Sequence, residues 1–257
     1  MSSVLPYIAP SRPKSKIRLV SAMRHMYRLL RNVEDTPQAF YVMEALNGGA
    51  LQKSLYRSVS SMEGRQRLRD KVVLPEYLDN HAQFESLPLN SLARLYVDFM
   101  VREDLSAAGL IAENEVVKNS LEYDDDLQWY ENRFRDTHDL FHVITGYGRD
   151  HLGEAALFGF SNAQLGGAGF LFLSFMGCRA IARNAPKDAK IWDVYKEARI
   201  SGKKAHNLMD QDLVSLMRLP LSEVRSLLAV PKPEAYLQAL EHSKTILHTP
   251  MDPQTGW

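Results

Sequence analysis

A chain of 257 residues, 45% hydrophobic and 24% charged, fits an ordinary globular protein that buries its own core without staples. Lysine plus arginine equals aspartate plus glutamate at 31 each, so net charge gives no argument for nucleic-acid binding. One cysteine, Cys178, excludes an internal disulfide, fits a reducing compartment, and reads as a buried residue among apolar neighbours.

In chain order, residues 1–16 read as a flexible end containing Pro10 and Pro13. A helix is expected over 17–33, where Leu19, Met23, Met26 and Leu30 recur at helical spacing. Residues 1–32 hold Arg12, Lys14, Lys16, Arg18, Arg24, Arg28 and Arg31 and no acidic residue. Such a stretch suits a transit peptide or a helix drawn to anionic lipid. It is read as the solvated first helix of the domain, with weak membrane attraction. Thr36-Pro37 matches an N-cap followed by proline at the first helical position. Helices are expected over 37–46, 50–59, 62–70 and 91–102, with a break at Leu87 to Asn90. A long helix is expected from Leu121 to Thr145, stopped by Gly146-Tyr147-Gly148. Another is expected from His151 to Ala182, then 189–208, 211–218, 221–229 and 233–246, with a flexible tail over 247–257. Strand signals are scarce. The fold class read from this pattern is all-α: a single-domain multi-helix bundle over 17–246.

From Ala155 to Cys178 no residue is charged. That length would span a bilayer, but Ser161, Asn162, Gln164 and many glycines argue against it. Two readings remain. One is a central buried helix; the other is a helix whose small residues Gly159, Gly166 and Gly169 leave a greasy path toward Phe170 and Phe172.

Arg135-Asp136-Thr137-His138-Asp139-Leu140-Phe141-His142 is the informative stretch. On a helix His138 and His142 lie about 40° apart, with Asp139 in the same sector. Imidazole and carboxylate together suit a divalent cation: zinc, iron, manganese or cobalt. Glu154 would enter the first turn of the next helix, where the dipole favours a carboxylate. The glycine turn lets the chain reverse, so a central helical hairpin would close a metal site of His138, Asp139, His142 and Glu154. Asp150 and His151 are candidates to support those ligands. The plain alternative is a hydrogen-bonded polar patch. Asp124-Asp125-Asp126 lacks the further aspartate of a prenyl-transferase magnesium site, because position 128 is Gln128. It reads as acid at a helix N-terminus.

His138-Asp139-Leu140-Phe141-His142 followed by Glu154 resembles the fourth coenzyme Q biosynthesis protein family, marked by His-Asp-x-x-His and a later Glu. Leu87-Pro88-Leu89-Asn90-Ser91-Leu92-Ala93-Arg94 resembles that family's Leu-Pro-x-Gly-Ser-Leu segment, with Asn90 where glycine is usual. Leu219-Pro220-Leu221-Ser222-Glu223-Val224-Arg225 resembles its closing helix, and Tyr147-Gly148-Arg149-Asp150 its bacterial branch. The resemblance covers residues 17–230. It implies an all-helical fold, a bound divalent metal and a role in ubiquinone synthesis. The reaction it implies is metal-dependent oxidative decarboxylation at ring carbon 1 of a polyprenylated 4-hydroxybenzoate, which would make the protein a lyase. It also implies a homodimer, peripheral membrane association and other ubiquinone biosynthesis proteins as partners. The place implied is the cytoplasmic membrane surface of a bacterium, or the matrix face of the inner membrane in a mitochondrion. Two other functions stay open: a non-catalytic metal-containing scaffold that holds the prenyl lipid, and a hydrolase using metal-bound water.

Overall fold

The computed structural model describes residues 5–32, 35, 37–109 and 123–247, the side chains of 243–247 excepted. Among them helices alone form regular structure, and the isolated bridge between Ser91 and Pro220 extends into no strand. The helices in chain order are α1 (Leu19–Arg31), α2 (Pro37–Asn47), α3 (Ala50–Ser58), α4 (Met62–Asp70), α5 (Leu74–Asp79) and α6 (Leu92–Arg102). There follow α7 (Asp126–Asp136), α8 (His138–Thr145), α9 (His151–Leu165), α10 (Ala168–Asn184) and α11 (Ile191–Lys204). The last are α12 (Leu213–Leu216), α13 (Leu221–Leu227) and α14 (Glu234–Leu247). No described helix is long and apolar enough to cross a membrane.

Side-chain caps start several of these helices. Ser61 accepts from Gly64 N at 2.9 Å, Ser91 from Arg94 N at 3.3 Å, and Asp125 from Gln128 N at 2.8 Å. The acidic run around Asp125 therefore caps α7. Thr36 and Leu121, expected at helix starts, and the tail from 248 on lie outside the described residues.

Two expected long helices are each broken. The segment ending at Thr145 is interrupted at Thr137, whose hydroxyl donates back to Arg133 O at 2.8 Å and whose backbone leaves the helical region. Back-bonding of this kind bends a helix. The helix beginning at His151 stops at Leu165, because Gly166 and Gly167 take φ of +80° and +94°. No continuous helix survives two such residues. This turn sends α10 back along α9, which packs chiefly on α10 and α11. Short α5, with Pro75 in its first turn, escaped the periodicity reading, and the 3-10 turn His81–Phe84 follows it.

Residues 5–16, expected to be loose, form no helix; they run as a strap with a turn where Arg12 N donates to Ala9 O at 2.9 Å. Tyr7 N donates to Asp126 Oδ2 at 2.6 Å, Ala9 N to Asp125 Oδ2 at 3.0 Å, and Arg12 forks onto Asp125 through Nε and Nη2, each at 2.9 Å. A large apolar core is built around α6, α8, α9 and α11. A small second cluster joins Ala22 and Met26 of α1 to α2 and to Leu173 of α10.

The two motif segments flanking the middle of the chain meet in space. Leu92 N donates to Leu219 O at 2.8 Å, and Leu221 N to Asn90 O at 2.9 Å. Asn90 is not among the residues with positive φ, so it takes the usual glycine's place without strain. Arg225 of α13 donates from Nε to Ile144 O at 2.8 Å and from Nη2 to Val143 O at 3.0 Å. These are C-terminal carbonyls of α8, where a cation is favoured.

Candidate metal centre

Three short devices place the site residues. The bend at Thr137 starts α8, which carries His138, Asp139 and His142 within little more than one turn. Gly146, at φ +80°, ends it in the left-handed conformation that glycine adopts freely. Asp150 then opens α9 by accepting from Leu152 N and Gly153 N, both at 3.1 Å, which sets Glu154 in the first turn.

Each of His138, Asp139 and His142 offers a ligand atom, and these atoms lie within 4.8 Å of one another. His142 Nε2 stands 3.2 Å from His138 Nε2 and 3.3 Å from Glu154 Oε1, and His138 Nε2 stands 3.6 Å from Glu154 Oε2. Two donors bound about 2.0–2.1 Å from one tetrahedral ion sit about 3.3 Å apart, so these spacings are those of neighbouring ligands. Buried His142 donates Nδ1–H to Tyr147 O at 2.9 Å, which leaves Nε2 as the lone-pair nitrogen facing His138 and Glu154. The donor set and the fixed tautomer thus fit a divalent cation. His138 and Glu154 keep 20% and 28% of their side chains exposed, so the cluster opens on one side.

Without a cation the same neighbours favour a proton on His142 Nε2, which a bound metal would displace. Burial disfavours the His142 imidazolium, but the Glu154 carboxylate, the Tyr147 carbonyl and Asp139 outweigh it and leave its pKa raised. Burial likewise pushes Glu154 up, and His142 and His138 more than reverse this, holding it well below the usual carboxylate range. Phe99 stacks on the His142 ring with centroids 5.8 Å apart, and Phe158 lies 6.5 Å from the His138 ring.

The opening leads into a cavity of about 1330 Å³, larger than the usual small-molecule pocket. His138, Asp139 and Glu154 line one part of it; Phe134, Phe158, Phe170 and Leu173 make an apolar wall. Of the residues of the expected lipid path, Phe170 lines the cavity, and Gly159, Gly166, Gly169 and Phe172 are not among its lining residues. The reason is close packing. A Cβ at Gly159 would meet Ser174 Oγ at 2.8 Å, and one at Gly169 the backbone of Met43 at 2.8 Å, while Gly166 sits in the turn that ends α9.

Other expectations fall in place or move. Cys178 is fully buried, and burial pushes its thiol up to about 12. Arg135 and Asp136 pair with each other at 2.6 Å. Asp150 supports the site as a helix cap, and His151 lines the cavity. Arg149 escaped the ligand-spacing argument: its Nε stands 3.9 Å from Glu154 Oε1 and it too lines the cavity. Tyr236 of α14 also went unseen. It accepts from Gly148 N at 2.9 Å and donates to Asp150 Oδ2, clasping the turn between α8 and α9. No local pattern in the last helix signals that role.

A sequence profile described as coenzyme Q (ubiquinone) biosynthesis protein Coq4 matches residues 17–234. The mitochondrial ubiquinone biosynthesis protein coq4 of Sclerotinia sclerotiorum is 28% identical over 180 residues, 68% of this chain and 59% of that protein. Its namesake in Talaromyces stipitatus is 33% identical over 101 residues, 38% of this chain and 32% of that protein. The chain therefore spans under two thirds of the length of these curated relatives. A crystal structure from Nostoc punctiforme, provisionally assigned to ubiquinone biosynthesis, superimposes with TM-score 0.62 at 19% identity. It covers 84% of this chain and 100% of that one, a likeness of fold alone.

Proposed function

The chain belongs to the coenzyme Q (ubiquinone) biosynthesis protein Coq4 family, and from that membership we propose that it acts in ubiquinone synthesis as a metal-dependent oxidative decarboxylase. The substrate is a 4-hydroxybenzoate carrying a polyprenyl tail. Its ring carbon 1 loses carbon dioxide and gains a hydroxyl from water, while dioxygen takes the released electron pair and two protons to become hydrogen peroxide. The observation that carries this reading is the coincidence of a two-imidazole, carboxylate cluster with the end of a large, partly apolar cavity.

His138, Asp139, His142 and Glu154 would hold the cation, zinc first among zinc, iron, manganese and cobalt. A bound divalent ion supplies Lewis acidity toward the substrate's carboxylate. The chain's own groups do the rest. Tyr147 O fixes the His142 tautomer, and Glu154 balances the positive charge. Arg149 offers a guanidinium beside Glu154 to an anionic head group. Phe158 and Phe170 shield the ring and the start of the tail from water. Each buried methylene of that tail favours binding by about 0.8 kcal/mol. A closed tetrahedral shell would suit a purely structural ion. The exposure of His138 and Glu154 toward the cavity favours chemistry over the scaffold reading. Homodimerisation, partner enzymes of the pathway and work at a membrane surface come with the family and stand as proposals alongside.

The test is direct. Metal-loaded protein is incubated aerobically with a short-tailed, carboxyl-13C-labelled prenyl hydroxybenzoate. Labelled carbon dioxide and the hydroxylated ring should appear together, and neither should appear with His142→Ala. Substrate binding without any carbon dioxide release would leave the scaffold reading in its place.

A further inference from the structure

We infer that α1 docks the protein on an anionic lipid surface, with Leu19, Val20, Met23 and Tyr27 inserted and the neighbouring cations on the head groups. Those four side chains are 67%, 76%, 58% and 58% exposed. On a helix they fall within an arc of about 100°, so the exposure is one stripe rather than scattered residues. A contiguous apolar stripe left in water and rimmed by charge marks an interaction site. From within, the helix is held by buried Ala22 and Met26 in the small second core, with Leu29 and Leu30 packed against it.

Charge selects the occupant. Arg24, Arg28 and Arg31 run along one border of the stripe, and Lys14 and Lys16 precede it. Arg18 pairs with Glu44 and Arg12 with Asp125, so neither is counted. No acidic residue occurs before Glu34. A second copy meeting this face by two-fold symmetry would bring like charges together, since an isologous contact pairs a patch with itself. A surface of anionic head groups instead satisfies the whole set. An amphipathic helix with a basic border and an apolar stripe is the form that lies in a membrane interface.

The opposite side of α1 gives docking a purpose. Ser21, His25, Met26 and Leu29 line the same cavity that reaches Glu154. One helix thus separates the proposed membrane from the cavity, and a prenyl tail leaving the bilayer at α1 enters without crossing water. This entry route rests on the cavity's reading as a lipid site; the docking does not.

The experiment is flotation of the full chain with vesicles of phosphatidylcholine alone or mixed with phosphatidylglycerol. Binding should be at least tenfold tighter to the anionic vesicles and should weaken as salt screens it. Val20→Glu with Met23→Glu should abolish it, while Arg24→Gln with Arg28→Gln should weaken it about thirtyfold. Because Cys178 is buried, Val20→Cys gives one reactive thiol for an environment-sensitive dye. Its emission should shift to the blue on anionic vesicles, and a dye at Gln238→Cys on α14 should not. Equal binding to both vesicle types, binding retained by the double glutamate variant, or an unshifted dye overturns the proposal. So does a wild-type dimer that those glutamates split while vesicle binding persists, which would assign the face to a second copy. Carbon dioxide release from a detergent-dispersed short-tail substrate separates the two readings. Its loss with vesicle binding intact defeats the metal-centre reading alone, and the reverse defeats docking alone.

Discussion

Gly153→Ala adds one methyl group, touches no proposed ligand, and should still disable the metal centre. Gly153 packs against the backbone of Gly148 across the turn between α8 and α9. A Cβ there would overlap the Gly148 carbonyl oxygen and stand 2.7 Å from its carbon and 2.8 Å from its nitrogen. Ordinary contact begins at 3.4 Å, so clearing the carbon alone requires a shift of about 0.7 Å, and no flexible side chain is present to yield. Overpacking of this kind costs about 1–3 kcal/mol, and the better helix propensity of alanine offsets up to about 1 of it. The net loss of up to about 2 kcal/mol lowers the melting temperature by up to about 8 °C for a chain of this size. The effect on the metal is larger. Glu154 is the next residue, and ligand distances tolerate only about 0.2 Å. A carboxylate moved this far from His138 and His142 should weaken metal affinity about 10–100-fold, as loss of supporting contacts does elsewhere. Chelator competition and elemental analysis after dialysis measure it, alongside thermal melts. Gly49→Ala is the control, since a Cβ there meets nothing within 4 Å. Wild-type affinity and melting temperature in Gly153→Ala would refute the packing argument.

His142→Ala and His138→Ala should each abolish metal binding, and a folded variant with normal metal content would contradict the ligand assignment. Glu154→Gln should lower affinity while keeping the shape, and in metal-free protein it should lower the His142 pKa, because Glu154 is what overcomes burial there; an unchanged histidine titration by NMR would count against the geometry. Asp125 is buried, which alone would raise its pKa, but Arg12 and the Ala9 and Gln128 amides lower it below the usual carboxylate value. Its stabilisation is therefore full above the ordinary carboxylate range and fades as pH falls through the lowered folded value. Asp125→Asn should cost about 3 kcal/mol at neutral pH, with the deficit shrinking toward acid in urea titrations and faster amide exchange over the strap; equal deficits at all pH values would refute it.

The helical class was legible in the sequence because apolar spacing repeats in nearly every segment, and the caps at Ser61, Ser91 and Asp125 are residue types that favour such positions. The cluster on α8 was legible for the same reason: ligands four apart share a helix face. Glu154 could be aligned with them because Gly146 and Asp150 are local signals for a stop and a start. The bend at Thr137 and the reversal at Gly166 and Gly167 were not legible, since each residue also occurs inside helices. Contacts between distant segments escaped too. The strap on Asp125, Tyr236 on Asp150 and Arg225 on the end of α8 depend on packing that no periodicity encodes. The glycines of α9 and α10 decide nothing in the sequence, because a missing side chain signals a groove and a close contact equally well.

The central claim is that His138, Asp139, His142 and Glu154 hold one divalent cation at the end of the cavity. Anomalous diffraction at the absorption edge of the metal retained by purified protein tests it most directly. The account predicts a single peak between the Nε2 atoms of His138 and His142 and the Glu154 carboxylate, absent in His142→Ala crystals. A protein that binds no metal, or a peak elsewhere with these four side chains unliganded, would contradict it.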